Sequence, residues 1–201
     1  MKRIKIKNLL EDKNTLNCFC NDMQNGALAV IPTDTLYGFA VSFNSKEAVE
    51  KVYRIKNRDS RKPLILFVTN VEELAKLGLE TTEEYKRIIQ SNWPGGLTAI
   101  LKKPSTGELA GFAFPTIGIR APNHNNLLKL LDILPVKLLT TSANRSGAPS
   151  DTNPDVIADE FSSEIDWLID DGVLPCGIPS TVVDFSVKPF KILRQGKVRI
   201  E

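Results

Sequence analysis

The chain is expected to fold as an α/β protein around one twisted sheet of mixed parallel and antiparallel strands. Three observations predict this. Short runs rich in β-branched and aromatic residues recur along the whole sequence, each bounded by turn formers. Segments of helical periodicity separate some of these runs. Others are joined by loops too short to cross over to a parallel neighbour, so both kinds of connection must feed the same sheet.

The strand-like runs are 27–31, 39–43, 63–68, 97–101, 116–121, 136–141, 167–169, 181–185 and 190–193. After the second of them, Ala48, Val49, Val52, Tyr53 and Ile55 fall close to helical spacing, with Asn44 as N-cap and Glu47 as its capping-box partner. A further helix is predicted over 82–91, where Thr81 and Glu84 repeat the box, and another over 124–134. Asn153-Pro154 marks one more start, with proline at the first helical position ahead of Val156, Ile157, Ala158 and Phe161.

The 201 residues suffice for a sizeable core and are read as one domain, 1–201. Hydrophobic residues at 42% and charged residues at 25% argue against a disordered or fibrous chain. With a net charge of +2, any anion site has to be local. Cys18, Cys20 and Cys176 lack the paired spacing of a zinc site and fit reduced thiols in the cytoplasm, the expected location. Residues 1–7 interleave charge with isoleucine, unlike a signal peptide, and no apolar run has transmembrane length, so no membrane contact is expected.

The sequence spells no G-x-x-x-x-G-K-[ST] loop, no strand-linked G-x-G-x-x-G and no H-E-x-x-H. The single histidine, His124, is read as a capping or surface residue rather than a catalytic base. What remains is a set of polar loops next to strands, the usual place for ligand contacts in open α/β sheets. Residues 32–38, PTDTLYG, set two hydroxyls and a carboxylate between apolar segments, although a turn alone would also explain them. Residues 56–62 carry Lys56, Arg58, Arg61 and Lys62, which read either as a triphosphate clamp or as a solvated basic loop. Residues 93–96, WPGG, read as a structural corner with a packed tryptophan. Alternation places Thr116, Gly118 and Arg120 on one strand face, where the arginine suits a carboxylate or an ordinary salt bridge. Residues 140–147, TTSANRSG, hold more donors than a turn needs, which favours phosphate or ribose contacts.

Taken in order, PTDTLYG, KNR followed by KPLILFV, WPGGLT, TIGIRAP, TSANRSG, PSTVVD from Pro179 and ILRQG from Ile192 resemble the YrdC-like family of threonylcarbamoyl-adenylate synthases across nearly the whole chain. That resemblance implies an open three-layer α/β architecture with a twisted mixed sheet and a concave, locally basic cavity. It implies an enzyme, a nucleotidyltransferase, that joins L-threonine, bicarbonate (as CO2) and ATP into threonylcarbamoyl-AMP and pyrophosphate. ATP is then a substrate, accompanied by Mg2+ whose protein ligands no carboxylate cluster identifies. A downstream tRNA threonylcarbamoyl-transferase system would consume the product.

Matching motif positions imply that Thr35, Arg120, Thr140 and Ser180 contact threonine, with Arg120 on its carboxylate. Phe67 stands where many members place a histidine near threonine. Lys56 and Arg58 would stabilise the phosphates as the catalytic pair. Arg58, Lys62, Thr116, Ser142, Asn144, Ser150 and Arg194 correspond to the ATP side. Pro179 replaces a frequent glutamate and Gln195 a usual proline. The chain ends soon after Arg194, as in the short, single-domain form. Three competing readings are a YciO-type paralogue sharing the fold without this activity, a module binding tRNA or double-stranded RNA, and an enzyme that forms a carbamoyl-adenylate with another acceptor.

Overall fold

The computed structural model describes residues 1–175 and 177–200, so the thiol expected at Cys176 lies outside the described residues. The chain runs β1 (Lys2–Lys5), α1 (Ile6–Glu11), α2 (Lys13–Gln24), β2 (Ala29–Ile31), β3 (Gly38–Ser42), α3 (Lys46–Lys56), β4 (Ile65–Phe67), α4 (Glu73–Lys76) and α5 (Glu83–Asn92). It continues with β5 (Leu97–Lys102), a short 3-10 turn (Glu108–Gly111), β6 (Thr116–Arg120), α6 (Asn125–Ile133), β7 (Leu138–Ser142), α7 (Pro154–Phe161), β8 (Trp167–Asp170), β9 (Thr181–Asp184) and β10 (Lys191–Arg194).

The ten strands form one sheet in the order β1-β8-β2-β3-β7-β4-β6-β5-β9-β10. The pairs β1/β8, β2/β8, β4/β6 and β5/β9 are parallel, and β2/β3, β3/β7, β4/β7, β5/β6 and β9/β10 antiparallel. The mixed sheet expected from the sequence is therefore present.

Alternation along the strands splits the core in two. Val30, Phe39, Val41, Leu66, Ala99, Ile117 and Ile119 point to one face, packed against Val52 and Ile55 of α3, Ile89 of α5 and Phe161 of α7. Ala29, Ile31, Ala40, Leu138, Trp167 and Ile169 point to the other, packed against Ile6 and Leu9 of α1, Phe19 and Met23 of α2, and Leu127 and Leu130 of α6. Among the described residues, none of this second cluster comes from β5, β6 or β9. The second helical layer thus roofs only part of the sheet, and the bare strands beside it are where a ligand can sit.

Several local features differ from the sequence expectations. α3 is capped by Ser45, whose hydroxyl accepts from the Ala48 N–H at 3.2 Å, rather than by Asn44. Glu47 sits in the first turn, where the helix dipole favours its charge. α5 is capped by Thr82, and the Thr81 hydroxyl is buried with no hydrogen-bond partner among the described residues. β1, α1 and α2 add an N-terminal unit that the strand and helix patterns did not reveal. β1 is held by its parallel ladder with β8 and by charge: Arg3 and Lys5 both pair with the buried carboxylate of Asp170 on β8. The His124 cap of α6 and the Asn153-Pro154 start of α7 are as expected. Trp93 is packed at its corner, donating its indole N–H to the Leu97 carbonyl at 2.7 Å.

Candidate active site

The bare part of the sheet forms the floor of a cavity of about 320 Å³. Thr98 and Ile100 of β5, Thr116, Gly118 and Arg120 of β6, and Val182 of β9 supply the floor, and the loops after β2, α3 and β7 supply the walls. Thr35, Arg58, Phe67, Thr116, Arg120, Thr140, Ser142, Ser150, Ser180 and Arg194 all line it. Lys56, Lys62 and Asn144 do not.

Arg120 anchors one end. Its Nε donates to the Gly95 carbonyl at 3.0 Å, its Nη1 to the Thr35 hydroxyl at 3.1 Å and its Nη2 to Asp34 Oδ1 at 2.6 Å. The preceding loop is wound about Thr33, whose hydroxyl donates to the Leu36 carbonyl at 2.7 Å. The Thr33–Thr35 contact of 3.0 Å then has Thr35 as donor, so Thr35 accepts from Arg120 and donates its own hydroxyl to Thr33. Asp34 and Arg120 form an ion pair with both side chains only 6% exposed.

The other end is cationic without a carboxylate. Asn57 ends α3 in the left-handed conformation at φ 48°, which turns Arg58 back over the cavity. Arg58 donates from Nε to the Lys62 carbonyl at 3.1 Å and from Nη2 to the Pro63 carbonyl at 3.3 Å. Arg194, at the rim on β10, donates to the Ser180 carbonyl at 3.0 Å and to the Ser180 hydroxyl at 3.2 Å. Among the described residues no salt bridge reaches Arg58 or Arg194. Desolvation, and then the charge of Arg58, hold the Arg194 guanidinium below its ordinary value; desolvation does the same to Arg58. Both stay cationic, and their juxtaposition calls for an anion.

The four-cation clamp of 56–62 does not assemble as expected. Arg61 turns outward to pair with Asp59, and Lys62 is exposed, contributing only its carbonyl to Arg58. Lys56 turns inward: only 1% exposed, its ammonium donates to the Ser142 carbonyl at 2.5 Å, the Asn144 carbonyl at 2.7 Å and Asn144 Oδ1 at 2.9 Å. Its three donors are spent on the loop after β7, and its carbonyl receives the Ser146 N–H at 2.7 Å. Lys56 is thus placed to fasten that loop, which leaves Arg58 as the cation of the pair that faces the cavity. Asn144 completes the fastening, taking the Ser142 hydroxyl at 2.6 Å and donating to the Ala148 carbonyl at 2.6 Å. Arg145 leaves the site for Glu164 and Glu160.

Burial, and next the charge of Arg58, push the Lys56 ammonium down to about 8. A neutral amine has two donors for three acceptors, so activity is expected to fall as pH rises past about 8. A pH–rate profile checks this: Lys56→Met should lack that alkaline limb and be slow throughout. The same group acts oppositely on stability. Between about 8 and the ordinary 10.5 the unfolded chain holds a proton that the folded chain has released, so its contribution rises with pH.

Thr98 escaped the sequence reading as a site residue, and Thr33 and Asp34 entered it only as parts of the polar PTDTLYG loop without individual roles. Thr98 was legible in principle, since alternation in 97–101 places it opposite Leu97, Ala99 and Leu101, and its hydroxyl meets that of Ser180 at 2.9 Å. The cavity lining contains no carboxylate, and among the described residues no three His, Cys, Asp or Glu side chains gather as a metal site. A protein-held magnesium therefore does not fit here.

The fold and site define an α/β domain with a half-roofed mixed sheet and, on its bare strands, a concave cavity lined by three arginines. The chain belongs to the Sua5/YciO/YrdC family, whose model, described as Telomere recombination, matches residues 21–196. A Pyrococcus abyssi threonylcarbamoyl-AMP synthase is 32% identical over 180 residues, covering 89% of this chain and 53% of that protein. A Methanocaldococcus jannaschii protein provisionally given the same name is 36% identical over 203 residues, covering 100% of this chain and 95% of its own. Among solved structures, P. abyssi Sua5 complexed with L-threonine has a TM-score of 0.82 at 30% identity, over 97% of this chain and 56% of that one. Escherichia coli YciO has a TM-score of 0.81 at 26% identity, over 92% and 90%. The chain thus spans about half the length of the P. abyssi relative and nearly all of the M. jannaschii one. Among the described residues no helix is long and apolar enough to cross a membrane.

Proposed function

We propose that the protein is a threonylcarbamoyl-AMP synthase, a nucleotidyltransferase acting on L-threonine, bicarbonate or CO2, and ATP. The observation that carries this reading is the polarity of the cavity: Arg58 and Arg194 with carbonyl and hydroxyl partners at one end, Arg120 with Thr35 at the other. The names of the similar proteins and the threonine complex of P. abyssi Sua5 support it. In this reading Arg120 receives the threonine carboxylate, Thr35, Thr140 and Ser180 surround the amino acid, and Phe67 closes its side-chain end. Thr116, Ser142 and Ser150 face the nucleotide.

The chemistry needs no protein nucleophile. Bicarbonate supplies CO2 with loss of hydroxide; the neutral threonine amine adds to it and releases a proton, giving a carbamate. A carbamate oxygen attacks the α-phosphorus as the bond to the α–β bridging oxygen breaks, and pyrophosphate leaves. Arg58 and Arg194 stabilise the charge that develops on the phosphates, and the cavity aligns the two reactants. Magnesium would be carried in on the phosphates of ATP, since the cavity lining offers it no carboxylate. The product would pass to a tRNA threonylcarbamoyl-transferase system in the cytoplasm.

The test is incubation of purified protein with ATP, magnesium, bicarbonate and L-threonine, following pyrophosphate and the adenylate by mass spectrometry. A threonine-dependent adenylate is expected; its absence from folded protein sinks the reading. Salt-sensitive binding of tRNA or double-stranded RNA without turnover would instead select the RNA-module reading. Serine in place of threonine reports on the selectivity set around Phe67.

A further inference from the structure

The ion pair behind Arg120 is joined to the C-terminal segment. Lys197, beyond β10, donates its ammonium to the Asp34 carbonyl at 2.9 Å and lies 3.3 Å from Asp34 Oδ2. Asp34 Oδ1 takes Arg120 Nη2 at 2.6 Å and the Asn123 N–H at 3.2 Å. One carboxylate therefore bridges two cations through its two oxygens, and three separate parts of the chain converge on one guanidinium: the loop after β2, strand β6 and the segment after β10.

The C-terminal segment is itself seated with care. Lys197 N–H donates to the Pro179 carbonyl at 2.9 Å, and Gly196 N–H and Val198 N–H reach the Thr181 hydroxyl at 3.0 and 3.2 Å. A Cβ on Gly196 would lie 2.2 Å from the Pro179 carbonyl oxygen, so only glycine lets the segment press this close. A Cβ on Gly96 would lie 2.9 Å from Lys197 Cβ, so the lysine stem rests on the same turn whose Gly95 carbonyl accepts Arg120 Nε. The lysine is laid across the turn that fixes Arg120.

We infer that Asp34, held by Lys197, is a positioning residue that sets the Arg120 guanidinium for its ligand carboxylate, and that the C-terminal segment is thereby part of the amino-acid site. The inference rests on the reading of Arg120 as the threonine-side cation. Arginine recognises carboxylate through a planar fork whose direction matters, and a carboxylate bonded to one arm fixes that direction. Asp34 also offsets the charge of a cation that is nearly excluded from water. The segment that begins at Arg194 on the phosphate side and reaches Asp34 through Lys197 physically connects the two ends of the cavity.

Two measurements on the full chain test this. In protein labelled with 15N, the Arg120 Nε–H signal, assigned by its loss in Arg120→Gln, should be protected from exchange. Lys197→Met and Asp34→Asn should reduce that protection by at least about tenfold, and Lys197→Arg should restore it. The threonine KM should rise about tenfold in Lys197→Met and further in Asp34→Asn, with the ATP KM within about twofold of wild type. Lys197 is 35% exposed, so its variant keeps the test open even where Asp34→Asn fails to fold. Unchanged Arg120 protection in the variants overturns the inference. So does lost threonine affinity with an unchanged Arg120 signal, because Asp34 would then touch the ligand itself. Absence of threonine turnover in the wild type defeats the synthase reading, while the exchange measurement still decides whether Asp34 and Lys197 set Arg120.

Discussion

Arg120→Gln is expected to raise the threonine KM by about a hundredfold or more, the loss that follows removal of one member of a buried charged pair at a binding site. The same change leaves Asp34 buried with only Lys197 and the Asn123 N–H as partners, which lowers stability by about 1–3 kcal/mol, less than the penalty for a fully orphaned buried charge. The two effects separate in a cycle. Adding Asp34→Asn to Arg120→Gln should recover much of the lost melting temperature and none of the threonine affinity. Arg120→Lys should fall between, keeping the charge but losing the fork. Calorimetric titration with threonine and thermal unfolding read the two quantities, and a drop in melting temperature with unaltered threonine binding would make Arg120 a purely structural residue.

Arg58→Ala is expected to do the reverse. Its guanidinium meets carbonyls and lies in the field of Arg194, and the carboxylate that attracts it, Asp59, is exposed, so its loss leaves no buried charge stranded. Stability of the free protein should stay within about 0.5 kcal/mol of wild type or rise slightly. kcat/KM for ATP should fall by about a hundredfold to a thousandfold, the scale of losing one preorganised donor to a charged transition state. Arg194→Ala should behave alike. Serious unfolding of either variant would mean that the arginines serve the fold and not the phosphates.

The contrast between these arginines bears on what a sequence discloses. Arg120 was legible because strand alternation sets its face: 116, 118 and 120 share the cavity side while Ile117 and Ile119 are fully buried on the other. The strand runs and the mixed sheet were legible for the same reason, being written in a period of two. Lys56 was not. It is the last residue of α3, and whether such a side chain meets solvent, phosphate or the protein depends on the loop after β7, 86 residues away along the chain. Asp34 looked like an ordinary turn residue because its partners lie 86 and 163 residues further on. β1 was hidden by its composition, since three of its four residues are cations, and the partner of two of them, Asp170, belongs to a distant strand. α2 buries only Leu16, Phe19 and Met23 in twelve residues, a stripe too thin to stand out among polar neighbours.

The half-roofed sheet makes the cavity floor and the ceiling of the larger core the same three strands. Ile117 and Ile119 pack with no exposure on the far side of the backbone that presents Thr116, Gly118 and Arg120. A close-packed interior transmits small volume changes through such a strand instead of absorbing them. Ligand preference in this chain is therefore open to tuning from behind: an isoleucine-to-valine change on the far face of the strand can move the arginine that lines the cavity.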